Sequence, residues 1–163
     1  MKRAQIDAFC GSRETLYQRI AFFAAPAILL AGVVYVAVRY ASLPAEIPTH
    51  YNAFGEIDGW GSRGTLWITP VIGILCDALM LAVSFFPQTW NVGTSVTVFN
   101  RALVYRRVRD LIADLRLSMA VMFTAMTVWH ASLPPRFPWW MGVLIGVCCT
   151  APLVRYFVRL VRK

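Results

Sequence analysis

Four long apolar segments, each close to the length that a helix needs to cross a bilayer, constrain this sequence more than any other feature. About 20 consecutive apolar residues span the hydrocarbon core as a helix. We place the segments at residues 20–38, 66–86, 117–133 and 137–154. Hydrophobic residues make up 58% of the 163-residue chain and charged residues only 15%, which excludes an ordinary soluble domain. The sequence therefore predicts an all-α integral membrane protein, a four-transmembrane-helix bundle forming one membrane domain over residues 1–163.

The connections between the segments differ in character. Residues 41–65 are rich in Pro, Gly, Asn and Asp, which predicts an ordered, non-helical loop between the first two helices. Residues 98–116 have helical periodicity and predict a charged extension that continues into the third segment. The short third connection contains three prolines, so we expect the last two helices to form an antiparallel hairpin. The first segment is expected to be retained as a signal-anchor, because a long mixed-polarity stretch precedes it.

The basic residues predict the orientation, because Lys and Arg are retained on the cytoplasmic side. Arg39, Arg63 and Arg136 fall on one face of the predicted bundle. The other 13 of the 16 basic residues fall on the opposite face: Lys2, Arg3, Arg13, Arg19, Arg101, Arg106, Arg107, Arg109, Arg116, Arg155, Arg159, Arg162 and Lys163. Both termini are therefore expected to be cytoplasmic. The net charge of +8 is explained by topology and attraction to anionic lipid, so no nucleic acid partner is expected.

The predicted outer loop gathers several polar side chains within a short stretch. Its Asn, Asp and Gly residues are typical of turns, so a purely structural role is one interpretation. Binding of a ligand or partner is a second interpretation, with Trp60 at the level of the membrane interface. The candidate binding residues in the loop are His50, Asn52, Glu56, Asp58 and Trp60.

A divalent metal is a third interpretation of the loop. His130 is predicted near the outer end of the third helix, on the same face as His50. Two imidazoles and a carboxylate would be an acceptable set for a borderline metal ion, and the candidate ligands are His50, His130 and Glu56. His130 also fits a simple interfacial position beside Trp129. No other cofactor is required by the sequence.

Asp77 lies near the middle of the second apolar segment. An ionised side chain at that depth costs at least ~2.5–3.5 kcal/mol, so it needs a partner or a proton. We expect either a functional polar site, such as a proton relay or ligand contact, or a structural hydrogen bond between helices. Thr124 and Thr127 are the expected partners in the structural case.

Hydrolase signatures are missing from the sequence. Gly59, Gly61 and Gly64 match a dinucleotide-binding pattern but precede an apolar helix rather than follow a strand. Neither the serine-hydrolase pattern GxSxG nor the zinc-protease pattern HExxH occurs. An enzyme is therefore less favoured than a binding or signalling protein.

The loop also carries a longer pattern. Leu43-Pro44, Pro48-Thr49-His50, Asn52, Gly55-Glu56, Asp58-Gly59 and Gly61-Ser62-Arg63 stand in the order LPxx[IV]PxH[FY]NxxGxxDG[YW]GS[KR]. Over about residues 42–72 the sequence thus resembles a bacterial membrane domain of unknown function that is shared with the SdpI-type immunity proteins.

The resemblance implies a multi-pass protein of the bacterial cell membrane. Its outer loop would recognise an extracellular peptide or toxin and give immunity, or would pass a signal to a cytoplasmic regulator at the helix over residues 101–116. The alternative is a small membrane-embedded metal-dependent enzyme or transporter-like protein that uses the His50/His130 outer site. The oligomeric state is left open.

Overall fold

A computed structural model describes residues 1–92 and 94–161. Arg162 and Lys163, which contribute to the predicted basic face, lie outside the described residues. The elements in chain order are α1 (Arg3–Cys10), α2 (Leu16–Tyr40), β1 (Glu46–Tyr51), β2 (Ile57–Ser62), α3 (Ile68–Ser84), α4 (Arg101–Ala131) and α5 (Trp139–Val161), with short 3-10 turns at Arg63–Trp67 and Pro87–Thr89.

The predicted four-helix membrane architecture is confirmed. In the described part of the chain, four helical stretches are long and apolar enough to cross a membrane: Leu16–Tyr40, Arg63–Ser84, Arg101–Ala131 and Trp139–Val161. The last of them ends at Val161, seven residues beyond the predicted end at residue 154. The added stretch is basic, so hydropathy alone excludes it from the membrane segment. The predicted charged extension and the third apolar segment do form one continuous helix, α4, which begins at Arg101 and not at residue 98.

Local sequence signals set the start of the first membrane helix. The hydroxyl of Thr15 accepts from the backbone N–H of Gln18, and the Gln18 side chain accepts from the backbone N–H of Thr15. This capping box satisfies two donors that a helix N-terminus otherwise leaves unpaired. Before it lies the short helix α1, which the sequence analysis did not predict and which ends at Gly11 with a φ of 68°.

Helix α4 is the centre of the bundle, because α2, α3 and α5 all pack against it. Ala25 and Leu29 of α2 form a buried cluster with Ala120 of α4. Gly73 of α3 lies where a Cβ atom would come within 2.8 Å of the Phe123 Cβ on α4. Small residues at these contacts allow the helices to approach closely, as in other membrane helix pairs.

The outer loop between α2 and α3 is ordered and non-helical, as predicted, but it is a β-hairpin. Strands β1 and β2 pair antiparallel, with Pro48 opposite Trp60 and Tyr51 opposite Ile57. The register shifts on either side of His50, so β1 is bulged there. The hairpin lies at the end of the bundle where α2 and α4 end and α3 and α5 begin, which we call the hairpin end. The opposite end, which carries α1, is the α1 end.

Candidate functional site

Packing against the helices holds the base of the hairpin. Ile47 of β1 is fully buried in a cluster with four other residues from α2, the loop, the 3-10 turn and α4: Val36, Leu43, Leu66 and Ala131. The membrane helices therefore position the first strand through a shared apolar core.

Two hydrogen bonds add to this attachment. The His130 Nε2 atom of α4 lies 2.7 Å from the backbone oxygen of Pro48. The hydroxyl of Tyr51 donates to the backbone oxygen of Pro134 at 2.9 Å, and burial raises the pKa of that phenol, which keeps it a proton donor. His130 thus anchors the hairpin backbone.

The turn of the hairpin depends on Asn52. Its Oδ1 atom accepts from the backbone N–H groups of Phe54 and Glu56, at 2.9 and 3.0 Å. Gly55 follows with a φ of 74°, which side-chain-bearing residues adopt only with strain. Its backbone oxygen accepts from the N–H of Phe137 at 2.8 Å, so the turn is tied to the start of α5. Asn52 therefore shapes the turn, which corresponds to the structural interpretation of the loop.

Four of the remaining hairpin side chains are exposed. The His50 Nδ1 and Asp58 Oδ1 atoms are 2.5 Å apart, and these side chains are 72% and 42% exposed. Phe54 at the tip is 87% exposed and Trp60 on β2 is 63% exposed. The surface combines an imidazole, a carboxylate and two aromatic rings, which suits recognition of a polar and aromatic partner. We call these four residues, His50, Phe54, Asp58 and Trp60, the hairpin surface.

Glu56 stands beside this surface and contacts the α4–α5 connection. Its carboxylate lies 3.4 Å from Arg136 Nη2, and both side chains are more than half exposed. The two residues also form an isolated backbone bridge. Glu56 thus links the hairpin to the connection at that end of the bundle.

The structure does not bring the three candidate metal ligands together. His50 is paired with Asp58, His130 is directed at the Pro48 carbonyl, and Glu56 faces Arg136. Among residues 1–92 and 94–161, no group of three His, Cys, Asp or Glu side chains is placed to hold a metal ion.

Asp77 has a different partner from the two that we expected. Its two carboxylate oxygens accept from Nε and Nη2 of Arg116, at 2.7 and 3.0 Å, and both side chains are less than 8% exposed. Thr124 instead donates to the Ile28 backbone oxygen and Thr127 to the Phe123 backbone oxygen. The prediction was wrong because it placed Arg116 in a charged extension outside the membrane, whereas the packing of α3 on α4 brings its guanidinium to Asp77. Asp77 is therefore remote from the hairpin surface.

Sequence reasoning also missed a ladder of polar contacts on α4. Asp110 accepts from Gln18 of α2 and Arg159 of α5, each at 2.8 Å. One turn later, Asp114 accepts from Tyr17 of α2 and Arg155 of α5. The signal was the spacing of four residues between the two acids on α4 and between the two arginines on α5, which places each pair on one helix face.

The chain is similar to a known domain family over part of its first half. A family model described as a domain of unknown function, DUF1648, matches residues 27–74, which include both strands of the hairpin. An uncharacterized protein of Archaeoglobus fulgidus is 26% identical over 143 aligned residues, covering 78% of each chain. No solved structure matches.

Proposed function

We propose that this protein is a multi-pass protein of the cell membrane whose hairpin surface recognises an extracellular peptide, as expected for an SdpI-type immunity or signalling protein. Both termini would then be cytoplasmic and the hairpin end would face outward. The whole chain would act as one membrane domain. The observation that carries the proposal is a hairpin fixed at its base and turn, with aromatic and ionisable side chains exposed on it.

The fixed base supports recognition rather than a mere connection. Ile47 is buried, and the Pro48 carbonyl and the Tyr51 hydroxyl are both hydrogen-bonded to other parts of the chain. A rigid, pre-formed surface binds with a smaller loss of conformational entropy than a mobile loop does. Exposed aromatic side chains such as Phe54 and Trp60 are enriched at the centres of protein interfaces.

The location of the matched region supports the same assignment. The family model covers the second half of α2, the hairpin and the first seven residues of α3, so the hairpin lies near its centre. The pattern in the loop, including His50, Asp58 and Trp60, is the part that resembles the SdpI-type proteins.

Helix α4 offers a physical route for a signal. Its last residues contact the hairpin through His130, and its first turns lie at the α1 end beside α1. One unbroken helix of 31 residues therefore connects the recognition surface to the proposed cytoplasmic face. A cytoplasmic regulator would bind at that end of α4.

Deletion of the gene in its own host tests the proposal. If the protein gives immunity, the deletion strain is sensitive to the secreted peptide fraction of the host's own culture medium, and a wild-type copy restores growth. We expect copies with His50→Ala, Trp60→Ala or Phe54→Ala to fail at normal membrane abundance.

Phe99→Ala provides the matched control. Phe99 is a fully exposed phenylalanine at the α1 end, so its loss should leave protection intact. Full protection by the hairpin variants, or an equal loss with Phe99→Ala, would contradict recognition by the hairpin surface.

A further inference from the structure

A second polar site lies at the other end of the bundle, where α1 covers the start of α4. It is a cavity of about 70 Å³, partly open to the surface, which we call the α1 cavity, and it is lined by α1, α2, α4 and the segment at the end of α3. A single water occupies at least ~10–15 Å³ by the same measure, so the cavity has room for roughly five water-sized groups. Three arginines from two helices line it: Arg3, Arg109 and Arg116.

Each of these arginines keeps hydrogen-bonding capacity beyond its contact with a carboxylate. Nε and Nη2 of Arg116 donate to Asp77. The ion pair therefore leaves the Nη1 group of Arg116 for another acceptor. Within the described part of the chain, the hydrogen bonds of Arg109 to Asp7 and to the Ser12 carbonyl both use Nη1. Arg3 contacts Glu14 at 3.4 Å, a long and half-exposed pair that an anion can replace at little cost.

The rest of the lining is amphipathic. Phe22 lies under two of the guanidinium groups, with its ring centroid 4.4 Å from the Arg3 Cζ atom and 5.6 Å from that of Arg116. The apolar lining continues through Ile6, Ala21, Phe85, Ile112 and Ala113. A ligand with an anionic group and an adjoining apolar part would match both kinds of surface.

The number and geometry of the arginines favour one class of anion. A carboxylate offers two oxygens, whereas a phosphate group offers enough oxygens for three guanidinium donors at once, and arginine matches phosphate geometry well. The surroundings add positive charge, because Lys2, Arg13, Arg19, Arg101 and Arg106 lie on segments of the same end. We propose that the α1 cavity binds a phosphate group, carried by a membrane lipid headgroup or present as free phosphate, through Arg3, Arg109 and Arg116.

Thermal unfolding of the purified full chain in a maltoside detergent tests the proposal and separates the two sources. One arm titrates short-chain phosphatidylglycerol, and a diacylglycerol of the same acyl length, which has no phosphate, provides the reference. The other arm titrates sodium phosphate against sodium chloride at equal ionic strength. A rise in the unfolding temperature in the first arm alone assigns the site to a lipid headgroup, and an equal rise with sodium phosphate assigns it to free phosphate.

Variants of the cavity lining test the residues. A hydrogen bond to a charged group contributes about 1.5–3 kcal/mol, so Arg3→Gln or Arg109→Gln should weaken the apparent affinity for the active probe about tenfold or more. Arg106→Gln is the matched control, since Arg106 is an exposed arginine of α4 that does not line the cavity. Ala113→Leu fills the cavity while keeping every charge, and it should also weaken binding.

Two kinds of result would overturn the proposal. The first is that neither phosphatidylglycerol nor phosphate raises the unfolding temperature above its reference. The second is that Arg106→Gln weakens binding as much as Arg109→Gln, or that Ala113→Leu binds as well as the wild type. The first outcome would mean that the cavity binds no phosphate group, and the second would leave only a general attraction between the basic end and anions. The hairpin proposal would be unaffected by it.

Discussion

The two ends of the bundle use charged residues in opposite ways. At the hairpin end, the pairs His50–Asp58 and Glu56–Arg136 lie in solvent, with every side chain more than 40% exposed. At the α1 end and within the bundle, Asp77, Asp114 and Arg116 are less than 10% exposed, and each is ion-paired. The hairpin is held instead by an apolar cluster and by hydrogen bonds to its backbone.

This difference indicates which charges are available for function. Removing one member of a buried ion pair leaves an uncompensated charge, so such pairs constrain the fold strongly. Exposed pairs contribute little to stability and can change partner at low cost. The exposed ion pairs at the hairpin end can therefore change partner without loss of structure, whereas Asp77, Asp110 and Asp114 hold α4 against α2, α3 and α5.

The largest expected effect comes from breaking the buried pair between α3 and α4. Asp77→Leu or Arg116→Met alone should destabilise the protein by about 3–5 kcal/mol, because the remaining charge is buried without a partner. The free energy of unfolding, measured by SDS titration in detergent, together with the amount of protein in membranes, reports this loss.

The double variant Asp77→Leu with Arg116→Met is the control for the buried pair. Replacing both charges by apolar side chains should restore most of the lost stability, since no unpaired charge remains. If the double variant is as unstable as the two losses added together, the pair does not act as a unit and our account of the α1 end is wrong.

The next largest effect is expected at the hairpin turn. Gly55→Ala places a side chain at a positive φ and brings its Cβ within 2.9 Å of the Phe137 oxygen, which should cost about 1–3 kcal/mol locally. Amide hydrogen exchange of the hairpin should become faster. Gly142→Ala on α5 is the matched control, because nothing lies within 4 Å of its added Cβ. In this variant the hairpin amides should exchange at the wild-type rate. Hairpin amides that exchange at the wild-type rate in Gly55→Ala would contradict our description of the turn as fixed against Phe137.

A smaller effect is expected where the hairpin meets the end of α4. Tyr51→Phe removes the hydroxyl that donates to Pro134 and should cost about 0.5–1.5 kcal/mol. The free energy of unfolding and the amide hydrogen exchange of β1 measure this loss. Unchanged exchange throughout β1 would show that this hydrogen bond does not hold the strand.

The smallest effect on stability is expected on the hairpin surface itself. The double variant His50→Gln with Asp58→Asn should change the free energy of unfolding by no more than about 1 kcal/mol, because the pair is exposed. The same variant should lose protection in the deletion strain. A large loss of stability would mean that these residues hold the hairpin together, and it would remove them from the recognition surface.

Hydropathy was sufficient to predict the four membrane helices. The four apolar segments, the helical extension into the third of them and the ordered loop all appear in the structure. The hairpin was predicted only as a loop, because β1 contains Pro48 and lacks a strict alternation of buried and exposed residues. Helix α1 has only eight residues and was missed for lack of a long periodic pattern.

The candidate site was predicted less completely than the fold. His50 and Asp58 do lie in contact, because β1 and β2 pair across a short turn, and Trp60 follows two residues later on β2. His130 lies beside the hairpin but is directed at a carbonyl, a contact that no local pattern contains. The identity of the Asp77 partner is set by how α3 is aligned along α4. That alignment depends on the close packing at Gly73 and cannot be read from sequence spacing.

The central claim is that the hairpin end faces outward and the ion-paired α1 end faces the cytoplasm. Native Cys10 is a poor reporter of this orientation. It is fully buried, and burial raises the pKa of its thiol despite the nearby Arg109, so it stays unreactive on either side. Phe54 and Phe99 are better positions for introduced cysteines, since they are 87% and 100% exposed at opposite ends.

Labelling with a membrane-impermeant thiol reagent, in a background with Cys76, Cys148 and Cys149 replaced by alanine, tests this claim most directly. In intact cells we expect Phe54→Cys to react and Phe99→Cys to react only after the membrane is permeabilised. Reaction of Phe99→Cys in intact cells, with Phe54→Cys protected until permeabilisation, would contradict the account.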